Sequence, residues 1–287
     1  LCVGPGNGMN RRLLLTRRDA LKRISAGTLL TLGLWPGALE AGIFSRRHKE
    51  FKFIVVNDLH YMDDDCGAWL DGVVTGMKTR SAEFCLIVGD IADDGKREHF
   101  VAVRDLFRQL NVPFYTVIGN HDHMTQTDRS AYLEIFPDRL NYRFEHGDWQ
   151  FVGLDSSEGQ HAQNTSVGPD TFRWLDDNLS KLDRKKPTVL FTHFPMGADV
   201  RYRPKNADDV LDRFRDFNLQ AVYNGHFHGF TERHREQTIL TTNRCCALKR
   251  NNHDGTKEKG YFVCSAKDGA ITREFIEVAM PPAKSAA

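Results

Sequence analysis

Neither sign of charge dominates this chain. Its 39 basic and 38 acidic residues leave a formal charge of +1, and the balance is uneven along the length. Residues 1–41 hold Arg11, Arg12, Arg17, Arg18, Lys22 and Arg23 against Asp19 and Glu40. Taking that surplus away leaves a remainder of about −3, which argues against a surface built to coat a nucleic acid duplex. Cysteine is scarce as well. Beyond residue 41 there are Cys66, Cys85, Cys245, Cys246 and Cys264. Their spacing fits no zinc knuckle, and their odd number leaves a thiol unpaired in an oxidising compartment. Cys85 and Cys264 lie in apolar strand-like runs, where a thiol is a small core residue. Past residue 42 no apolar run is long enough to span a bilayer, and no internal repeat is present.

What is there begins with TRRDALK (16–22), followed by ISAGTLLTLGLWPGALEAG (24–42). A basic stretch before a short apolar one is the layout of an export signal, and Arg17-Arg18 make it twin-arginine in type. An ordinary amphipathic helix is the plainer alternative. Leu39 with Ala41 makes a poor cleavage site, so an uncleaved segment serving as a membrane anchor stays open beside a cleaved one. The residues before Met9 read as an upstream extension. The expected organisation is an export signal over 1–41, one folded domain over 51–278 and a fraying tail over 279–287. It implies a periplasmic or other extracytoplasmic location, with the export machinery as a partner.

From residue 51 short β-rich runs alternate with helix-length amphipathic ones. FKFIVVND (51–58), FCLIVGD (84–90), PFYTVIGN (113–120), PTVLFTH (187–193) and LQAVYNGH (219–226) predict strands. AWLDGVVTGMKTR (68–80), KREHFVAVRDLFRQL (96–110), DTFRWLDDNLSKL (170–182) and ADDVLDRFRDFN (207–218) predict helices. Apolar residues in the strands do not alternate with polar ones, so both strand faces are buried. Residues 141–155 and 261–278 read as hairpins, and the final third as antiparallel β. The result is an α/β fold, a two-sheet β-sandwich flanked by helices.

The strands end in residues that a turn does not need. Asp58 and His60 follow the first, Asp90 and Asp93 the second, and Asn120, His121 and Asp122 the third. His193 follows the fourth, and His226 with His228 the fifth. Ligands bind at this edge of open α/β sheets. Residues i and i+2 of an extended chain share a direction, so Asp58 with His60 and His226 with His228 predict two pincers. Gly89, Gly119 and Gly225 predict sharp turns beside them. Oxygen and imidazole donors suit Mn, Fe or Zn rather than calcium. Seven candidate ligands exceed one tetrahedral site and suit two ions with a shared carboxylate. Each residue alone has a plainer explanation: a turn at Asp58, a helix cap near Asp93, a surface histidine at His193. Their order at successive strand ends favours a joint site.

Together, Asp58-x-His60, Gly89-Asp90-x-x-Asp93, Gly119-Asn120-His121-Asp122, His193 and Gly225-His226-x-His228 resemble the calcineurin-like metallophosphoesterases, over residues 51 to about 230. The resemblance implies a four-layer αββα fold and two divalent transition-metal ions. It implies one ion on Asp58, His60, Asp90 and His228, and a second on Asp90, Asn120, His193 and His226. It further implies that His121 is catalytic, facing the phosphate, and that Asp122 orients its ring. A metal-bridging hydroxide would then attack the phosphorus of a small phosphate ester. Purple acid phosphatases carry a Tyr where this chain has Asp93, which argues against a tyrosinate-iron site. GDIADDG followed by GNHDH looks more like the phosphodiesterase branch, favoured here over an exported phosphomonoesterase. A non-catalytic scaffold would have lost ligands or His121, and none is lost. A repair-type nuclease sits poorly with the export signal and the negative remainder. His123 is left unassigned: it reads as a solvent-facing loop residue before a pocket-lining one. The run Asp63-Asp64-Asp65 either repels polyanions or caps a helix. Arg201, Arg203 and Lys205 in the loop 197–209 either clasp a substrate anion or face solvent.

Overall fold

The structure, a computed structural model, describes Leu1 and residues 50–281. Leu1 apart, the expected export signal lies outside the described residues, as do residues 282–287 of the tail.

Two sheets stack face to face. In the first, β1 (Phe51–Val56), β2 (Phe84–Val88) and β3 (Phe114–Val117) are parallel neighbours. On the other side of β1 the sheet continues antiparallel through β10 (Lys259–Lys267) and β11 (Ala270–Val278). The second sheet starts with the hairpin of β4 (Tyr142–His146) and β5 (Trp149–Leu154). It runs on in parallel through β6 (Thr188–Thr192), β7 (Leu219–Asn224) and β9 (Thr238–Thr242), and β8 (Thr231–Arg235) closes it antiparallel. Helices α1 (Asp64–Lys78), α2 (Arg97–Arg108) and α3 (Ser130–Ile135) cover the first sheet. Helices α4 (Pro169–Asn178) and α5 (Ala207–Arg213) cover the second. This is the expected αββα sandwich.

The period of β1 shows why its sequence does not alternate in polarity. Phe53 and Val55 point between the sheets, where they meet Phe84, Phe151 and Tyr223. Ile54 and Val56 point outward against Trp69, Leu70, Phe100 and Phe107 of α1 and α2. A strand covered on both sides needs apolar residues at every position. Phe53 and Phe84 stack with ring centres 5.2 Å apart.

Differences from expectation have local causes. Helix α1 begins earlier than residue 68 because Asp63 caps it, its side chain accepting from the Cys66 amide at 3.2 Å. Asp63 of the acidic run is therefore a helix cap. Strand β9 pairs parallel to β7, not antiparallel. All five cysteines beyond the N-terminal segment are buried and free. Among the described residues no helix is long and apolar enough to cross a membrane.

Candidate metal centre

Strands β1, β2, β3, β6 and β7 all finish at the same edge of the sandwich, and there the backbone changes character. Asp58, His60, Asp90, His226 and His228 have φ of +53°, +45°, +49°, +62° and +48°. Few residues other than glycine occupy this left-handed region, and each one there carries strain. The two pincers are therefore built from left-handed residues, not from extended chain as the spacing suggested. Neighbouring turns hold one another in place. The Asp58 amide donates to Gly89 O at 3.1 Å and the His60 amide to Asp90 O at 3.0 Å. The His121 amide donates to Asp90 Oδ1 at 2.9 Å, and the His226 amide to Asp58 Oδ2 at 3.0 Å. Gly89 makes the expected sharp turn, with φ +78°. Gly119 is needed for a different reason: a Cβ there would lie 2.2 Å from Asp90 Oδ1.

All seven expected ligands come together, in two groups that share Asp90. In the first, His60 Nε2 lies 3.5 Å from Asp90 Oδ2 and 3.1 Å from His228 Nε2, which is 3.2 Å from Asp58 Oδ1. In the second, His193 Nε2 lies 3.3 Å from Asp90 Oδ2, 3.3 Å from Asn120 Oδ1 and 3.2 Å from His226 Nδ1. Each imidazole gives its outer nitrogen to an acceptor. The partners are Asp93 Oδ1 for His60 (2.9 Å), Val88 O for His193 (3.1 Å), Ala162 O for His226 (2.8 Å) and Asn251 O for His228 (3.1 Å). An outer N–H fixed in this way aims the other nitrogen's lone pair inward, the arrangement of metal-ligating histidine.

The electrostatics show what the cluster wants. Burial opposes the charge of His228, yet Asp58 lifts its pKa to about 11. Burial also opposes the charge of His193, and Asp90 and Asp58 lift it to about 9. His226, pressed by burial and by the neighbouring His193, is pushed down to about 3. Burial likewise works against Asp90, but His193, His121 and His60 hold it well below the usual carboxylate range. Two buried carboxylates thus recruit protons as counter-charge, and divalent ions would replace those protons. Four imidazoles, two carboxylates and an amide oxygen are a donor set that fits two such ions.

Around the ligands, three residues depart from expectation. Asp122 does not orient His121. Its Oδ1 accepts from the Ile91 and Ala92 amides (2.8 and 2.9 Å) and its Oδ2 from the Gly119 amide (2.8 Å). It braces the turn after β2 against the turn after β3. Burial and the nearby Asp90 push its pKa up to about 8. His121 is oriented instead by its own Nδ1–H, which donates to Asp93 O at 2.8 Å. His123 is not solvent-facing: it is buried, with Nε2 3.0 Å from Ser157 Oγ.

Sequence reasoning missed the loop 244–258 altogether. It brings Arg250 onto Asp93 (Nε to Oδ1, 2.9 Å), Asn251 onto His228 and His253 into a stack on the His228 ring at 5.0 Å. Beneath it the buried Lys259 ammonium donates to Arg250 O at 2.6 Å and to Cys245 Sγ at 2.8 Å. No strand end or periodicity marks these residues. The only available signal was polar NNHDG between two apolar runs. A cavity of about 750 Å³ opens in front of the site, lined among others by His60, Asp90, His121, His226 and His228.

A sandwich of two sheets with histidines and carboxylates gathered at its C-terminal edge defines a metal-dependent hydrolase scaffold. Residues 51–230 match the calcineurin-like phosphoesterase family, and the chain belongs to it. It is a metal-dependent phosphoesterase. It is similar to a probable cyclic nucleotide phosphodiesterase from Fibrobacter succinogenes, 24% identical over 68% of this chain and 79% of that protein. It is also similar to glycerophosphodiester phosphodiesterase GpdQ from Enterobacter lignolyticus, 26% identical over 69% of this chain and 72% of that protein. Relatives from Synechococcus and Nostoc are matched over 56% of their length. A dimetal phosphatase from Danio rerio shares the fold, with a TM-score of 0.57, 16% identity and coverage of 78% of this chain and 98% of that one.

Proposed function

We propose that the protein hydrolyses small phosphodiesters with two divalent transition-metal ions, Mn, Fe or Zn. Asp58, His60, Asp90 and His228 would hold one ion, and Asp90, Asn120, His193 and His226 the other. The observation that carries this reading is the inward convergence of four imidazole nitrogens on two buried carboxylates, with every outer nitrogen already bonded. Ions bound there would lower the pKa of a water molecule and offer positive charge to the phosphoryl oxygens. The protein's own part is to aim and to transfer protons. His121 is partly exposed to the cavity, and its Nδ1–H rests on Asp93 O. Protonated at Nε2, it donates to the oxygen of the leaving alcohol. Support for a diester comes from the two phosphodiesterase-named relatives and from the GDIADDG and GNHDH stretches. The twin-arginine-type segment supports an exported, periplasmic location, with the segment removed or kept as an anchor.

The test is a rate comparison on metal-stripped protein reloaded with Mn²⁺, using an aryl phosphodiester and the matching monoester. Faster diester turnover supports the proposal. Faster monoester turnover makes the protein an exported phosphomonoesterase, and no turnover with Mn, Fe or Zn makes it a binding scaffold.

A further inference from the structure

The loop between β6 and α5 carries three cations, and the structure separates them. Arg203 donates to Met196 O at 3.0 Å and pairs with Asp208 at 2.7 Å. Lys205 is exposed and does not line the cavity. Arg201 does line it. Two other cations share that wall, but both are neutralised: Lys249 pairs with Asp63, and Arg250 with Asp93. Arg201 is exposed and has no carboxylate partner among the described residues. Its guanidinium carbon lies 4.6 Å from the centre of the Tyr202 ring.

The position of this unmatched charge is defined by a row of rings along the cavity. His121 meets His60 at 4.8 Å between ring centres, and His60 meets His228 at 5.0 Å. His228 stacks on His253 at 5.0 Å, and His253 meets Tyr202 at 5.9 Å. Arg201 and His121 are the two ends of this series of ring contacts, and both line the same cavity. Tyr202 also stands edge-on to His226 at 5.1 Å, so a single ring separates the guanidinium from a ligand imidazole. The Tyr202 backbone has φ +70°. A bulky residue enters this region only when its surroundings hold it there, and strain of this kind gathers at ligand clamps. Arg203, next along the chain, is fixed by its bonds to Met196 and Asp208.

We propose that Arg201, seated on the Tyr202 ring, is a specificity-determining residue that binds a second anionic group, a carboxylate or phosphate, on the alcohol that stays attached to phosphorus. The inference rests on the phosphoesterase reading above. Since His121 serves the leaving alcohol, Arg201, which lines the same cavity at the other end of these contacts, is left for the retained one. A guanidinium with no carboxylate partner among the described residues presents a planar fork of donors that matches either anion in bidentate fashion.

The experiment uses three diesters that all release 4-nitrophenol, on the full chain loaded with Mn²⁺. The retained alcohol is glycolate, its uncharged methyl ester, or 2-phosphoethanol. The wild type is expected to prefer the two charged diesters by about tenfold in kcat/KM, mostly through KM. Whichever charged diester exceeds the ester by more names the preferred anion. Arg201→Gln should bring the ratio close to one, while Lys205→Gln on the same loop keeps the wild-type ratio. A wild-type ratio near one, or an undiminished ratio in Arg201→Gln, overturns the proposal. Calorimetric binding of a non-hydrolysable phosphonate analogue of the glycolate diester gives an independent reading. About tenfold weaker binding to Arg201→Gln upholds the anion site even if no diester turns over, an outcome that would sink only the phosphoesterase reading. Equal binding to both proteins sinks the anion site.

Discussion

Val55 and Asp58 stand three residues apart at the end of one strand, and both are almost wholly lost to solvent. Their surroundings are opposite. Val55 sits between the sheets among Phe84, Phe151 and Tyr223, where removal of apolar area from water stabilises the fold. Asp58 sits among His193, His226 and His228, where burial costs free energy unless charge is matched by charge. The backbone divides at the same point: regular strand below, left-handed residues above. The difference teaches how the molecule is built. A rigid apolar layer holds the strand ends still, and strained turns that could not stand alone are carried on it. The core variants should therefore lose stability, and the edge variants function.

The largest expected effect breaks the edge at its shared ligand. Asp90→Asn removes one carboxylate charge from both ligand groups. Turnover should fall by at least about 10²-fold, with metal content by atomic emission dropping below that of the wild type. A chelator should lower the melting temperature of the wild type much more than that of the variant, because only a protein that binds the ions gains stability from them. Full turnover with both ions retained would take Asp90 out of the centre. Next comes His121→Ala, expected to slow turnover by about 10²–10⁴-fold with metal content unchanged. Activity equal to the wild type would remove His121 from the reaction.

The other side of the comparison is tested by Phe53→Ala, in the layer between the sheets. The ring is fully buried and stacked on Phe84, so its loss should cost about 3–5 kcal/mol in a denaturant titration. The folded fraction should keep its kcat with Mn²⁺ bound. A large fall in kcat at full folding would mean that the apolar layer tunes the site directly, and the division of roles drawn here would fail.

How much of this was legible in the sequence follows the same boundary. Strands covered on both faces leave unbroken apolar runs, so β1, β2, β6 and β7 were read within a few residues of their bounds. Ligands delivered by those strands were legible for the same reason, since the edge of an α/β sheet is where such groups gather. The short helix α3 was not read, because its run is brief, and β8 and β9 were covered only by the general expectation of antiparallel β in the final third, which their pairing meets. Orientation was harder still. Asp122 follows His121 directly, and the family resemblance implied a partnership. The tight turn instead sends that carboxylate to three backbone amides. Arg250, Asn251 and His253 reach the site only because the chain returns through β10, a pairing that no local pattern announces.

The finest test concerns Asp93, which belongs to neither region. It is about one-fifth exposed and stands outside the seven expected ligands, yet it touches one of them, His60. Its Oδ1 accepts from His60 Nδ1 at 2.9 Å and from Arg250 Nε at 2.9 Å. Burial would raise its pKa, but His60 and Arg250 together lower it to about 2. Asp93→Asn keeps the shape and the acceptor oxygen while removing the charge. The His60 ring stays aimed, but its inner nitrogen becomes a poorer electron donor, so the metal should bind about 10- to 100-fold more weakly. At saturating Mn²⁺ the kcat should lie near that of the wild type, which separates a positioning role from a catalytic one. A Mn²⁺ titration of activity reads both quantities at once. An unshifted titration would mean that the carboxylate serves only Arg250, and the ligand shell would then end at His60. A shift in the expected range would place the boundary between core and centre one residue layer further out than the ligands themselves.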